Sequence, residues 1–135
     1  MAQSAGIPGD FAPVFAELRA ELKKVLEARA GRLTVAADTA TSYRLLTKSP
    51  SPFPQHKGHP LYFAEVRLGK AYVSFHLMPL YMCPELASEI SPALKKRMQG
   101  KTCFNFKTMP EPRLLEDLSR LTDASIRFWD QKHWL

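Results

Sequence analysis

With 135 residues, 45% hydrophobic and 24% charged, the chain has the length and composition of one ordinary globular domain, not of a disordered or fibrous protein. Its formal net charge of +6 gives weight to anionic partners without selecting one. The two cysteines lack C-x-x-C spacing and no apolar run approaches about twenty residues, which excludes a sequence-readable zinc or thioredoxin-type motif and a helical membrane span.

Residues 1–9 read as a flexible lead-in to a single domain covering 1–135. The opening stretch is polar and has no basic n-region, so a cytoplasmic protein with reduced thiols is expected. Asp10 is placed to cap a helix whose apolar residues Phe11, Val14, Phe15, Leu18, Leu22, Val25 and Leu26 follow the 3.6 period. Pro13 fits the first turn, and Gly31 ends the helix. Glu17, Arg19, Glu21, Lys23 and Lys24 make the opposite, solvated face.

Residues 33–37 and 42–47 alternate as short strands. Residues 48–60 carry Pro50, Pro52, Pro54 and Pro60 and read as a loop that also holds His56 and His59. The strongest local signal is a hairpin: strand-like runs 61–68 and 71–78 flank a Gly69-Lys70 turn. Alternation puts Tyr62, Ala64, Val66 and Leu68 on one face and Leu61, Phe63, Glu65 and Arg67 on the other. On the return strand, Val73, Phe75 and Leu77 oppose Tyr72, Ser74, His76 and Met78. Residues 84–90 suggest a helical turn. Ser91 and Pro92 then start a helix that Gly100 closes. Residues 101–107 alternate as a further strand, and Leu114, Leu115, Leu118 and Leu121 mark a C-terminal helix that continues through Ile126, Phe128 and Trp129. The expected fold is α+β: a two-layer sandwich with a twisted antiparallel sheet of about five strands and the N- and C-terminal helices on one face.

The Gly69-Lys70 hairpin, the run Val73-Ser74-Phe75-His76-Leu77 and the later Gly100-Lys101-Thr102-Cys103-Phe104-Asn105-Phe106 together resemble the YdhG-like domain family, across residues 11–122. The resemblance implies a small two-layer α+β fold. Some relatives in that family are described as frataxin-like iron chaperones, so it also implies iron carriage as one alternative. Frataxin-like iron binding uses acidic side chains on the first helix and the sheet edge, whereas the first helix here is mixed in charge.

No carboxylate pair, glycine-rich phosphate loop, zinc spacing or triad pattern stands out. The sequence therefore assigns no reaction and no cofactor, and points to a non-enzymatic or cryptically active binding domain. The leading site is the mixed face of the hairpin and the connection after it, Tyr72, Ser74, His76, Met78 and Tyr81, with Asn105 nearby. An apolar wall with a few oriented polar groups suits a small ligand or a protein partner, including a second copy of the chain. Against this stands the ordinary reading, in which these residues form the wetter side of a sheet. The alternative site is the basic cluster Lys95, Lys96, Arg97, Lys101 and Lys107, with no acidic residue between Glu89 and Glu111. It would neutralise nucleic-acid phosphates while Phe104 or Phe106 stacked on bases. The ordinary reading of such lysines is a solvated helix face and strand edge. A Cys83 or Cys103 thiol with His76, a metal held by His56 and His59, and an exposed aromatic tail (Phe128, Trp129, His133, Trp134, Leu135) carry less. Buried inert thiols, unligated loop histidines and a tail that closes the core are the expected outcomes there.

Overall fold

The alternating runs of the middle of the chain assemble into one antiparallel sheet of six strands, in a computed structural model that describes residues 11–29 and 31–135. The expected Asp10 cap and the 1–9 lead-in lie outside the described residues. Helix α1 (Ala12–Ala28) has proline in its first turn and buries Val14, Phe15, Leu18 and Leu22, as its periodicity requires. Glu21 departs from the expected solvated face. It is buried, and its carboxylate meets Lys24 Nζ at 2.9 Å.

Strands β1 (Leu33–Asp38), β2 (Ser42–Pro50), β3 (Pro60–Leu68) and β4 (Val73–Leu77) follow in sequence as an antiparallel meander. A 3-10 turn, Pro54–His56, sits in the β2–β3 connection. Helix α2 (Pro79–Met82), a 3-10 turn (Pro84–Glu89) and helix α3 (Pro92–Lys95) lead to strands β5 (Met98–Gln99) and β6 (Cys103–Phe106) and then to helix α4 (Pro112–Gln131). The strand order is β1-β2-β3-β4-β6-β5, so β3 and β4 are interior. The class is α+β as expected, with one strand more.

The extra strand has a local cause. The expected helix from Ser91 to Gly100 stops at Lys95, because Leu94 is its one buried residue and a single turn cannot sustain itself. The chain turns, pairs Met98 with Phe104 and Gln99 with Cys103, and uses Gly100 at φ +76° in the β5–β6 turn, not as a helix stop. The Ser91 cap holds as expected: its hydroxyl accepts from the Leu94 N–H at 3.2 Å.

The β3–β4 turn also lies one residue later than the Gly69-Lys70 signal places it. Leu68 pairs with Val73, the Gly69 N–H donates to the Tyr72 carbonyl at 3.0 Å, and Lys70 and Ala71 form the tip. A Cβ on residue 69 would stand 3.0 Å from that carbonyl oxygen, which explains the glycine. The pairing moves by an even number of residues, so Val73, Phe75 and Leu77 still face inward.

β3 breaks the simple alternation. Leu45 opposes Ala64 but Leu46 opposes Tyr62, so Phe63 is a bulged residue. The bulge turns Leu61 and Phe63 inward with Ala64 and Val66, all buried, and leaves Tyr62 with Glu65 and Arg67 on the outer face. Past the bulge the ladder is irregular again. There the buried Thr47 hydroxyl substitutes for backbone pairing, accepting from the Leu61 N–H at 2.9 Å and donating to the Ser49 carbonyl at 2.9 Å.

The core packs Tyr43, Leu45, Phe63, Val66, Phe75, Leu77, Phe104 and Phe106 beneath α1 and α4. Trp129 of α4 meets Phe63 edge-on, with ring centroids 5.6 Å apart. α4 is one continuous helix, and Thr122 and Ser125 are tolerated in its buried face because each hydroxyl donates to the carbonyl four residues back, at 2.8 Å. The aromatic tail closes the core: Leu135 is buried, and Trp134 sets its edge against Trp129 at 6.2 Å and Phe53 at 5.2 Å. Among the described residues no helix is long and apolar enough to cross a membrane.

Candidate functional site

The sheet register arranges the outer face in rows. One row runs across five strands as Arg44, Glu65, His76, Cys103 and Gln99; the next is Ser42, Arg67, Ser74 and Asn105. Glu65 is the anchor. It is buried, and accepts from Ser42 Oγ at 2.6 Å, Arg44 Nη2 at 3.1 Å and the Tyr62 hydroxyl at 3.3 Å, with Arg67 Nε 3.9 Å away. Burial pushes its carboxyl up, but the Ser42 and Arg44 hydrogen bonds and the charges of Arg44 and Arg67 outweigh that and hold it below the usual carboxylate range. Burial, reinforced by Glu65, pushes the Tyr62 phenol up, so it stays protonated and donates.

His76 is half-buried. Burial lowers its pKa, Arg67 adds to that, and Glu65 opposes it. Its Nδ1 lies 3.4 Å from Thr102 Oγ1. Cys103 stands opposite His76, so the register does bring together the thiol and imidazole considered from sequence. Burial raises the Cys103 pKa, with a Ser74 hydrogen bond opposing, and the Cys103 thiol donates to Asn105 Oδ1 at 3.3 Å. A protonated thiol beside a neutral imidazole is not an activated nucleophile pair. Cys83 is buried elsewhere in the core, with burial and Glu85 raising its thiol. Asn105 completes a side-chain chain: Ser74 Oγ donates to its Oδ1 at 3.1 Å, and its Nδ2 donates to Gln99 Oε1 at 2.6 Å.

The residues expected to share one ligand site fall into separate clefts. Tyr72, Ser74 and His76 line a cleft of about 390 Å³ with Glu65, Arg67 and Lys70. Asn105 lines another, of about 400 Å³, with Tyr72, Lys96, Arg97 and Lys107. Met78 and Tyr81 line the largest, about 550 Å³, at the end of β3 and β4. Phe53, Tyr62, Met78, Tyr81 and Met82 line it together with the polar side chains of Gln55, His56, Lys57 and His59. Tyr81 is 65% exposed, and Lys101 Nζ lies 6.0 Å from its ring centroid.

The basic cluster is divided too. Lys96, Arg97 and Lys107 converge on the Tyr72–Asn105 cleft, whereas Lys101 stands at Tyr81. Phe104 and Phe106 are fully buried and cannot stack on bases, because alternation turns them into the core. Phe106 instead carries Arg97 over its ring at 5.9 Å. His56 is held by Ser51, whose Oγ lies 2.7 Å from its Nδ1. Among the described residues no group of three or more His, Cys, Asp or Glu side chains is placed to hold a metal ion.

Sequence reading missed Tyr62, Arg44 and the role of Glu65. Strict alternation put Tyr62 inward. The signal against it was the run Leu61, Phe63, Ala64, Val66, whose apolar residues cannot all share one face without a bulge. No family model, no curated protein and no solved structure matches the chain.

Proposed function

We propose that this domain binds a small ligand in the Tyr62–Met78–Tyr81 pocket, at the end of the outer sheet face. The observation that supports this most is the pocket's make-up: about 550 Å³, lined by Phe53, Tyr62, Tyr81 and two methionines together with a few polar side chains. That volume lies within the roughly 300–1,000 Å³ typical of small-molecule sites, which pair an apolar wall with a few convergent polar groups. Tyr62 joins the pocket to the Glu65 network, so a bound molecule would touch a wall fixed by hydrogen bonds. A protein chain, or a second copy of this one, is the other occupant this face would accept; the concavity favours the smaller ligand. The reading keeps the domain a binding module without a cofactor, in a cytoplasmic setting. The YdhG-like resemblance is compatible with it and adds no ligand.

Ligand-induced thermal shift tests the proposal. Small aromatic fragments should raise the melting temperature of the wild-type chain by linkage, and Met82→Trp, which fills the pocket, should abolish the shift. A shift that persists unchanged in Met82→Trp would place binding elsewhere and remove the proposal.

A second reading has one observation behind it, the convergence of Lys96, Arg97 and Lys107 beside Tyr72. In that reading the cleft binds single-stranded nucleic acid, with Tyr72 in the stacking role that Phe104 and Phe106 cannot fill. A fluorescent single-stranded oligonucleotide should then bind at low salt, weaken steeply as salt rises, and lose affinity in Lys96→Gln and Lys107→Gln. No binding at low salt would end it. Iron carriage rests on the family resemblance alone.

A further inference from the structure

We propose that the pocket's ligand is an amphipathic anion, a flat apolar body carrying one carboxylate; this rests on the pocket reading above and names its ligand class. No carboxylate lines the pocket, whereas Lys57 does and Lys101 stands on the flank of Tyr81. Neither lysine is ion-paired among the described residues. The acid that meets the pocket wall through Tyr62 is Glu65, and its oxygens are taken by Ser42, Arg44 and Tyr62. A cationic ligand would therefore meet two unneutralised ammonium groups and no counter-ion. A neutral one would leave both lysines unused.

The backbone adds a second observation. Lys57 sits in the left-handed region at φ +51°, followed by Gly58 at φ +82°. A non-glycine residue in that region is uncommon and strained, and such strain gathers at ligand clamps. Here the turn after Pro54–His56 closes with the Lys57 N–H donating to the Pro54 carbonyl at 3.1 Å, which sets the Lys57 backbone beside the pocket. The apolar body would lie between Tyr62, Met78 and Tyr81, with its carboxylate toward Lys57 and in the field of Lys101 beside Tyr81.

Calorimetric titration with three probes of one shape decides it: 2-naphthoate, 2-naphthamide and 2-naphthylmethylamine, near neutral pH. Naphthoate should bind about fivefold or more tighter than the amide, the size of one partly screened charge contact, and the amine weakest. The gap should close in the double variant Lys57→Asn, Lys101→Gln. Asparagine is chosen because it tolerates the left-handed backbone, and both lysines are exposed, so the fold is kept. Lys23→Gln, a charge removed from the exposed side of α1, should leave the gap intact and separates local contact from the overall positive field. Equal binding of naphthoate and naphthamide, tighter binding of the amine, or a gap that survives the double variant would overturn the anion and leave the pocket standing. Binding of none of the three would overturn both.

Discussion

Glu65 and His76 face each other across β3 and β4, and their environments push them in ways that give the fold a pH signature. The Glu65 carboxyl is held below its ordinary range, so the folded chain binds fewer protons there than the unfolded chain. Its contribution is present above the unfolded carboxylate value of about 4.3 and is lost as pH falls through the lower folded value. Glu65→Gln leaves Arg44 and Arg67 without their counter-charge. It should cost about 2–3 kcal/mol near neutral pH in urea unfolding, and the gap to wild type should narrow below about pH 4. His76 works on the same side at a higher pH. Burial favours its neutral ring, so stability is full above the unfolded value of about 6.5 and declines as pH falls from there toward the folded value. His76→Gln should flatten the decline that sets in as pH falls below about 6.5, and a slope unchanged in the variant would assign the effect to another group.

At the scale of elements, α4 ends in a way that invites a direct test. The Trp134 N–H donates to the Trp129 carbonyl and the His133 N–H to the Asp130 carbonyl, both at 3.0 Å, with His133 left-handed at φ +62°. This is the Schellman arrangement, which glycine fills without steric cost. His133→Gly should therefore stabilise the domain by about 0.5–1 kcal/mol, after the entropy that glycine adds to the unfolded chain is deducted. A loss of stability would mean that the histidine ring holds the tail, with Trp134 and Leu135. The helices were legible in the sequence wherever an apolar stripe was wide, as along Leu114, Leu118, Leu121, Ile126 and Trp129. They were misread where it was thin. Leu94 alone could not carry a helix to Gly100, and the freed residues became β5. The β3–β4 hairpin was legible in its faces and not in its tip, because alternation survives a shift of even length while turn placement depends on one close contact at Gly69.

For the whole molecule, the sequence led to a sheet with its apolar side under α1 and α4 and a mixed reverse, and this is how Val73, Phe75 and Leu77 divide from Ser74 and His76. The site was only partly legible. Strand alternation assigns a face but not a position along it, so Tyr72, Ser74, His76, Met78, Tyr81 and Asn105 read as neighbours although they line different clefts. Tyr62 was hidden by the bulge at Phe63. The methionines are distributed so that one experiment separates the clefts: Met78 and Met82 line the large pocket, Met98 lines the basic cleft, and Met109 lines neither. Methyl NMR of the methionine-labelled chain, titrated with 2-naphthoate, should shift the Met78 and Met82 signals together in a saturable way and leave Met98 and Met109 unmoved. Shifts centred on Met98, or no saturable shift at Met78 and Met82 with 2-naphthoate, 2-naphthamide or 2-naphthylmethylamine, would contradict a ligand pocket at Tyr62, Met78 and Tyr81.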